Sequence, residues 1–580
     1  MLDQQVGGPH DQLRAAARAW IDGDPDPTTR AQLQALLDDG DIEAIADHVD
    51  GALSFGTAGI RGEVGPGPRR MNRAIALRTA HGLAQHVLAT QDLPAAGPAV
   101  VGHDARTSSP VLAADLVAVL AAAGIPVEVL DRMAPTPLVA HRAVSNDAVT
   151  AVVVTASHNP ARDNGIKVYA RNHVQLVEPE DLQIAARIDA APSAVAIDAR
   201  TVADPPNRRV VEVDDLAQKY RRDILAGRHD EERDTSLRIV ATPLHGVGGE
   251  HLVALLGAAG YADVRLVPEQ AAPDGTFPTV AFPNPEEPGA LDLALALARE
   301  VDADLVLAND PDADRLAMAI PDGRGGFQPL SGNQVGGLFG ARLLATTGHA
   351  RPAVASSIVS APLLADLATA HGAVHAVTLT GFKWIWNALL DLADDGAAPI
   401  YGFEEALGYS VSPVVRDKDG LSAGLLAADI AAAARRAGRT VRDLLDDLAR
   451  QHGARASVQR SIRLPGSEGA GAIAAALARL RSDPPRSLAG IPVRNVTDYA
   501  HGADQRPRWL GAQDLLVFDV GADLVLLRPS GTEPKLKVYA HASGPSGPSG
   551  PSGADVSVTE DALRARAEGL AAALIDVAGL

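Results

Sequence analysis

The sequence predicts an α/β chain of several domains: three α/β units of similar size, then a C-terminal α+β unit. Three observations predict it. The chain has 580 residues, too long for one hydrophobic core, and its length suggests roughly three to five domains. Between residues 51 and about 436, short β-branched runs alternate with helical apolar faces, the rhythm of largely parallel sheets covered by helices. After about residue 469 the strands come grouped, with helices outside them, the pattern of an α+β domain.

Taken in order, residues 1–50 read as helical. Leu13, Ala16, Ala17 and Trp20 share one face, and Leu33, Leu36 and Leu37 another. Asp24-Pro25-Asp26-Pro27 separates them. Val100-Val101, Val127 to Leu130 and Ala151 to Val154 are strands of the first unit, with a helix from Val111 to Ala123 between them. The rhythm resumes at Leu237 to Ala241, Val264 to Val267 and Asp304 to Ala308. It appears a third time from Ala353, with Ile400 to Phe403 as a late strand. A helix over 469–481, strands near 514–520, 523–528 and 535–541, and a helix over 561–578 finish the chain. The expected domains are 1–205, 206–325, 326–455 and 456–580. The Gly-Pro-Ser triplets over 544–552 are too few for a collagen helix and read as a surface loop.

Composition narrows the function. Lys+Arg total 52 against 72 Asp+Glu, a net charge of -20. Nucleic acid and anionic membranes repel such a chain, so neither is an expected partner. There are no cysteines, which excludes disulfides, thiol catalysis and Cys-based metal sites. The N-terminus has neither basic residues nor an apolar run, and no window resembles a membrane span. The expected location is the cytoplasm.

Thr155-Ala156-Ser157-His158-Asn159-Pro160 follows a buried strand. A serine at a strand end, on a turn closed by Asn-Pro, is expected to be exposed and rigidly held, as a nucleophile or phosphate carrier is. Asp310-Pro311-Asp312-Ala313-Asp314-Arg315 also follows an apolar strand. Three carboxylates at alternate positions on a turn can converge on one hard cation such as Mg²⁺. The spacing does not fit an EF-hand. Arg528-Pro529-Ser530-Gly531-Thr532-Glu533-Pro534 offers a guanidinium, two hydroxyls and backbone N–H groups, a loop able to wrap a phosphate dianion. Phe55 to Gly62, ending in Arg61-Gly62, is glycine-rich. Thr380-Gly381-Phe382-Lys383, Glu404-Glu405 and Asp417-Lys418-Asp419-Gly420 are polar loops after apolar runs. Among seventeen histidines only His158 and His245 stand in such settings, and His245 reads as structural.

Together these motifs resemble the α-D-phosphohexomutase family of phosphoglucomutases and phosphomannomutases. Five stretches carry the resemblance in the family's order: Gly56 to Gly62, Thr155 to Pro160, Asp310 to Arg315, Gly402 to Ala406 and Arg528 to Pro534. Residues 380–383, 403–409 and 417–420 look most like the phosphoglucomutase-2/phosphopentomutase branch. The resemblance implies three domains with mixed sheets and a last one related to the TATA-binding-protein fold, around a central cleft. It implies a phosphoserine at Ser157, Mg²⁺ held by Asp310, Asp312, Asp314 and the Ser157 phosphate, and a sugar 1,6-bisphosphate as intermediate and activator. Lys167 is the implied acid/base, with a pKa lowered by nearby cations or burial; His158 and Lys418 compete for that role. Arg61 and Arg315 would steady the transferring charge or orient Ser157. Thr380, Gly381, Lys383, Glu404 and Glu405 would read the sugar, and Arg528, Ser530, Gly531 and Thr532 its other phosphate.

One position departs from the pattern. Where the better-known branches carry a serine after the glutamate pair, this chain has Ala406. One hydroxyl contact to a hexose is lost, and a pentose 1-phosphate/5-phosphate pair stays open beside glucose and mannose. A sugar-bisphosphate synthase would share every motif. A phosphatase fits less well, for lack of a histidine-rich metal cluster, and a silent binding protein would not be expected to keep Ser157 and three aspartates. A small phosphosugar is the expected partner, with a monomer or homodimer as the assembly.

Overall fold

A computed structural model describes residues 8–54, 59–92, 97–197, 207–228, 234–464, 467–529, 535–545 and 555–580. The chain falls into two compact units. The first comprises Met1–Asp230, Thr235–Gln328 and Gly408–Ala428, and the second Glu231–Asp234, Pro329–Leu407 and Asp429–Leu580. The segment Gly408–Ala428 thus returns to the first unit from a region that the sequence groups with residues 326–455.

In the first unit, helices Pro9–Gly23, Pro27–Asp39 and Ile42–Val49 open the chain. Ala17, Leu33, Ile45 and Val49 are their buried centre, with Leu13 and Trp20 packed against it. Asp26 and Asp41 cap the second and third helices, accepting hydrogen bonds from Thr28 N and Ala44 N.

The first sheet runs Ile60–Glu63, Asp163–Tyr169, Thr150–Val154, Ala99–His103, Val127–Leu130, Arg208–Val211. The last four strands are parallel and the first two antiparallel, so the sheet is mixed. Every residue of Thr150–Val154 is buried, as suits a central strand covered on both faces. Each such valine contributes about 1.5–3 kcal/mol of burial free energy. In the second sheet, Ala317–Pro321, Leu305–Ala308, Arg238–Thr242 and Asp263–Leu266 lie side by side in that order. Leu305–Ala308 pairs parallel with one neighbour and antiparallel with the other, so the turn after Ala308 lies between antiparallel strands.

In the second unit, Pro352–Ser357 pairs parallel with Val374–Thr378 and Ala398–Glu404. A six-stranded sheet follows, in the order Arg455–Arg463, Lys535–Ser543, Asp523–Pro529, Leu516–Val520, Ile491–Asp498, Ser487–Leu488. It is antiparallel throughout. Helices Ser467–Ser482 and Asp555–Ala578 cover its apolar face, where Phe518, Val525, Leu536 and Val538 meet Leu570 and Leu574. The strands Arg455–Arg463 and Ile491–Asp498 are not in the sequence reading. The first buries only Ala456 and Val458 among polar residues, and the second buries none fully, so neither shows a long apolar alternation. Among the described residues no helix is long and apolar enough to cross a membrane.

Candidate active site

The serine turn begins where Thr150–Val154 ends. Thr155 Oγ1 accepts a hydrogen bond of 2.8 Å from Ser157 N, and Ser157 takes a left-handed φ of 50°. For a non-glycine residue this costs on the order of 1–3 kcal/mol and must be offset by its surroundings. Arg106 provides the offset. Its guanidinium donates to the carbonyls of Ser157 (2.7 Å), Asn159 (2.6 Å), Pro160 (2.6 Å) and Asp163 (2.9 Å). Asp104 forms an ion pair with it at 3.3 Å, and the Phe277 ring lies 5.0 Å from its centre.

Ser157 is not exposed, contrary to the expectation: its relative exposure is 2%. The turn folds onto the aspartate loop, so that Ser157 Oγ donates to Asp310 Oδ2 at 2.6 Å and lies 3.1 Å from His158 Nδ1.

Asp310, Asp312 and Asp314 are fully buried and offer ligand oxygens within 4.8 Å of one another. Ala313, at φ 58°, turns the loop back, and its N–H donates to Asp310 O at 2.8 Å. Asp310 Oδ1 accepts from Arg315 N at 2.9 Å. Asp312 Oδ2 accepts from Thr136 Oγ1 (2.8 Å) and Lys167 Nζ (2.7 Å). Asp314 Oδ2 accepts from Lys167 Nζ at 2.6 Å and has Lys418 Nζ at 3.2 Å. The other oxygens, Asp312 Oδ1 and Asp314 Oδ1, are buried without a hydrogen-bond partner among the described residues. Leaving buried carboxylate oxygens unpaired is costly. With Asp310 they make an all-oxygen donor set, which fits a hard divalent cation.

The charges divide the three carboxylates. Burial pushes Asp310 well above the usual carboxylate range, and the neighbouring Asp312 and Asp314 add to it. Burial pushes Asp314 up too, but Lys167, Lys418 and Arg315 outweigh it and hold the group below that range. Asp312 is likewise held low: burial and Asp314 raise it, and Lys167 prevails.

Lys167 departs from expectation. Burial alone would lower its pKa, but Asp312, Asp314 and Asp417 raise it above the ordinary lysine value. Its Nζ is held between the carboxylates of Asp312 and Asp314. His158 shifts the other way. Burial, then the nearby charges of Arg315 and Arg61, hold it well below 6.5, so its imidazole is neutral at pH 7. Arg61, on strand Ile60–Glu63, reaches Ala156 O at 3.4 Å. Arg315 stands 3.5 Å from Glu286. Ser157, His158, Lys167, Arg61, Arg315, Lys418 and the three aspartates thus all belong to the first unit.

The residues expected to read the sugar and the expected phosphate loop belong to the second unit. Glu404 Oε1 accepts from Gly381 N at 2.6 Å, where Gly381 starts helix Phe382–Asp394 at φ 120°. Thr380 Oγ1 is buried with no hydrogen-bond partner among the described residues. Lys383 Nζ lies 5.5 Å from the Trp384 ring centre. Glu405 turns inward: its Oε2 accepts from Ser357 Oγ (3.0 Å) and Ser360 Oγ (3.3 Å). Arg528 is the penultimate residue of strand Asp523–Pro529, and its Nη1 is buried without a partner among the described residues. Ser530, Gly531 and Thr532 lie outside the described residues, as do Phe55 to Ala58.

The models of the phosphoglucomutase/phosphomannomutase family match this chain four times: α/β/α domain I over residues 52–194, domain II over 218–324, domain III over 331–452 and the C-terminal domain over 491–546. The chain belongs to this family. A probable phosphomannomutase of Haemophilus influenzae is 39% identical to it over 483 residues, 82% of this chain and 93% of that protein. A probable phosphoribomutase of Schizosaccharomyces pombe is 32% identical, covering 92% of this chain and 94% of its own length. Human phosphopentomutase is 31% identical, covering 91% and 90%. Among solved structures, a putative phosphomannomutase of Thermus thermophilus shares the fold at a TM-score of 0.68, with 21% identity over 91% of this chain and 100% of that one.

In this family member, sequence reasoning missed Asp104, Arg106, Thr136 and Tyr169. A signal existed for the first two. Asp104-Ala105-Arg106 follows the strand Ala99–His103, which is parallel to the serine strand and beside it, and loops at the carboxyl ends of adjacent parallel strands converge.

Proposed function

We propose that the chain is a phosphosugar mutase that interconverts the 1-phosphate and 6-phosphate of glucose or mannose through a phosphoserine at Ser157. The observation that carries this reading is the placement of Ser157 Oγ, 2.6 Å from a buried aspartate in a cluster with two carboxylate oxygens that have no hydrogen-bond partner among the described residues. In the forward step the bond from phosphorus to Ser157 Oγ breaks, and a bond from phosphorus to the sugar hydroxyl oxygen forms. The hydroxyl proton leaves to a base, and a sugar bisphosphate results. The bisphosphate then returns its other phosphoryl group to Ser157.

Asp310, Asp312 and Asp314 would hold Mg²⁺, which supplies charge neutralisation for the transferring group. Arg61 and Arg315 add positive charge beside the same loop. His158, neutral and 3.1 Å from Ser157 Oγ, is suited to hold a proton at that oxygen. Lys167, Lys418 and His158 are the groups placed for acid/base work beside this cluster. Glu404 and Thr380 would meet sugar hydroxyls, and Arg528 with its loop the non-reacting phosphate. We place the protein in the cytoplasm as a monomer or homodimer, with a sugar 1,6-bisphosphate as its activator.

A second reading, a mutase for ribose 1-phosphate and 5-phosphate, is favoured by Ala406 and by relatives named phosphopentomutase and phosphoribomutase. The test is ³¹P NMR of glucose 1-phosphate, mannose 1-phosphate and ribose 1-phosphate, each with Mg²⁺ and a trace of glucose 1,6-bisphosphate. Conversion that is lost in Ser157→Ala supports the mutase, and the fastest substrate names the sugar. No conversion of any of them by Ser157-phosphorylated protein would rule the mutase out and favour a bisphosphate synthase.

A further inference from the structure

The turn Asp417-Lys418-Asp419 carries a lysine between two buried aspartates, each 1% exposed. Neither aspartate belongs to the metal-ligand cluster, and each is engaged by a buried tyrosine from a distant part of the first unit. Tyr169 OH donates to Asp417 Oδ2 at 2.6 Å, and Gln175 Nε2 donates to the same oxygen at 2.6 Å. With Oδ2 occupied, Asp417 Oδ1 is left for the lysine: it accepts from Lys418 N at 2.8 Å and lies 3.8 Å from Lys418 Nζ. On the other side, Tyr220 OH lies 2.9 Å and 2.7 Å from the two oxygens of Asp419. Asp419 also caps helix Gly420–Arg436, accepting from Leu421 N (3.0 Å) and Ser422 N (3.1 Å).

Backbone bonds complete the seating. Asp419 N donates to Tyr409 O at 2.8 Å and Gly420 N to Ala313 O at 3.1 Å. The second bond ties the turn to the aspartate loop itself. Strand Asp163–Tyr169 serves both halves of the arrangement. Its alternate residues Lys167 and Tyr169 share one face, so one presents an ammonium to Asp312 and Asp314 and the other a phenol to Asp417. Burial, reinforced by the adjacent carboxylate, holds both phenols well above their ordinary pKa, so both remain hydrogen-bond donors. Hydrogen bonds to a buried carboxylate are the strong, directional kind.

A lysine side chain is long and loses much rotamer freedom when fixed. Two donors that anchor the residues on either side of it reduce that freedom at the backbone. We propose that Tyr169 and Tyr220 are positioning residues for Lys418: through Asp417 and Asp419 they clamp the turn and aim its ammonium at Asp314. This rests on the mutase reading, in which Lys418 works beside the reacting groups.

The test uses the full chain with Mg²⁺. Tyr169→Phe and Tyr220→Phe are each made in the wild type and in Lys418→Met. Each is expected to lower kcat about tenfold in the wild type, because small misplacements of a working group have large effects, with KM changed less than about twofold. In Lys418→Met the same changes are expected to alter kcat by less than about twofold, since their target is gone. In parallel, acetylation of Lys418 is followed by mass spectrometry against Lys537 as internal reference, and is expected to quicken in both Phe variants. Unchanged kcat in the Phe variants, an equal fold-loss in both backgrounds, or a Lys418→Met protein as active as wild type overturns the clamp and leaves the mutase standing. If the wild type converts no phosphosugar, the mutase reading is what fails. The labelling then decides the clamp alone: faster labelling supports it and unchanged labelling overturns it.

Discussion

Ser157 and Asp310 show how much one buried contact governs. The serine's left-handed turn, its 2.6 Å bond to Asp310 and the four carbonyls held by Arg106 form one assembly. Replacing Arg106 with Met leaves those carbonyls and Asp104 without their cation. Thermal unfolding should show a loss of about 3–5 kcal/mol, the scale for breaking a buried pair, and activity should fall with it. Asp310 predicts the opposite sign for stability. Its folded pKa lies above the unfolded value. In metal-free protein it therefore opposes folding increasingly as pH rises from about 4 through its folded pKa. Asp310→Asn should raise the melting temperature of chelator-treated protein at pH 7 and abolish the further rise that Mg²⁺ produces in the wild type. Calorimetry with and without Mg²⁺ checks both. Of this residue-scale picture, the identity of the groups was legible in the sequence: Ser157 after an apolar strand and three alternating aspartates after another. The burial of Ser157 and the ion pairs of Lys167 were not, because each depends on residues over a hundred positions away.

At the scale of elements, the glycines that matter are those where one segment meets another. Gly420 begins the helix Gly420–Arg436, and a Cβ there would lie 2.2 Å from Arg315 O and 2.8 Å from Ala313 O. Gly420→Ala must therefore push the aspartate loop aside. We expect it to cost about 1–3 kcal/mol, the range for overpacking, and to weaken Mg²⁺ stabilisation as well, measured as the difference in melting temperature with and without the ion. Gly40, with φ 69° at a helix end and open space around it, is the contrast. Gly40→Ala should incur only the conformational strain, about 1 kcal/mol, and leave the Mg²⁺ effect unchanged. Most elements were readable as patterns. Ala151 to Val154 and Asp304 to Ala308 read as strands, and Thr150–Val154 and Leu305–Ala308 are buried strands. Arg455–Arg463 was not readable, since its strand character comes from pairing along its whole length with Lys535–Ser543.

Across the molecule, all the expected metal ligands and Ser157 lie in the first unit, while Glu404, Thr380 and Arg528 lie in the second. Mg²⁺ should therefore slow amide hydrogen exchange in segments 155–160 and 310–315 and leave strand Leu516–Val520 unchanged, because bound ligand stabilises the part it binds. Equal protection in both units would argue against the aspartate cluster as the binding site.

The sequence by itself determined the family and the order of its motifs along a chain of several α/β domains, and so the candidates for phosphate, a cation and a sugar. That information is local, held in strand-ending motifs a few residues long. Tertiary structure decided the state of those groups. It buried Ser157 against Asp310, set Lys167 between Asp312 and Asp314, spent Glu405 on Ser357 and Ser360, and brought Lys418 to Asp314 across more than a hundred residues. Protonation and orientation follow from the burial and charge of neighbours distant in sequence, so the fold had to be in hand before they could be read.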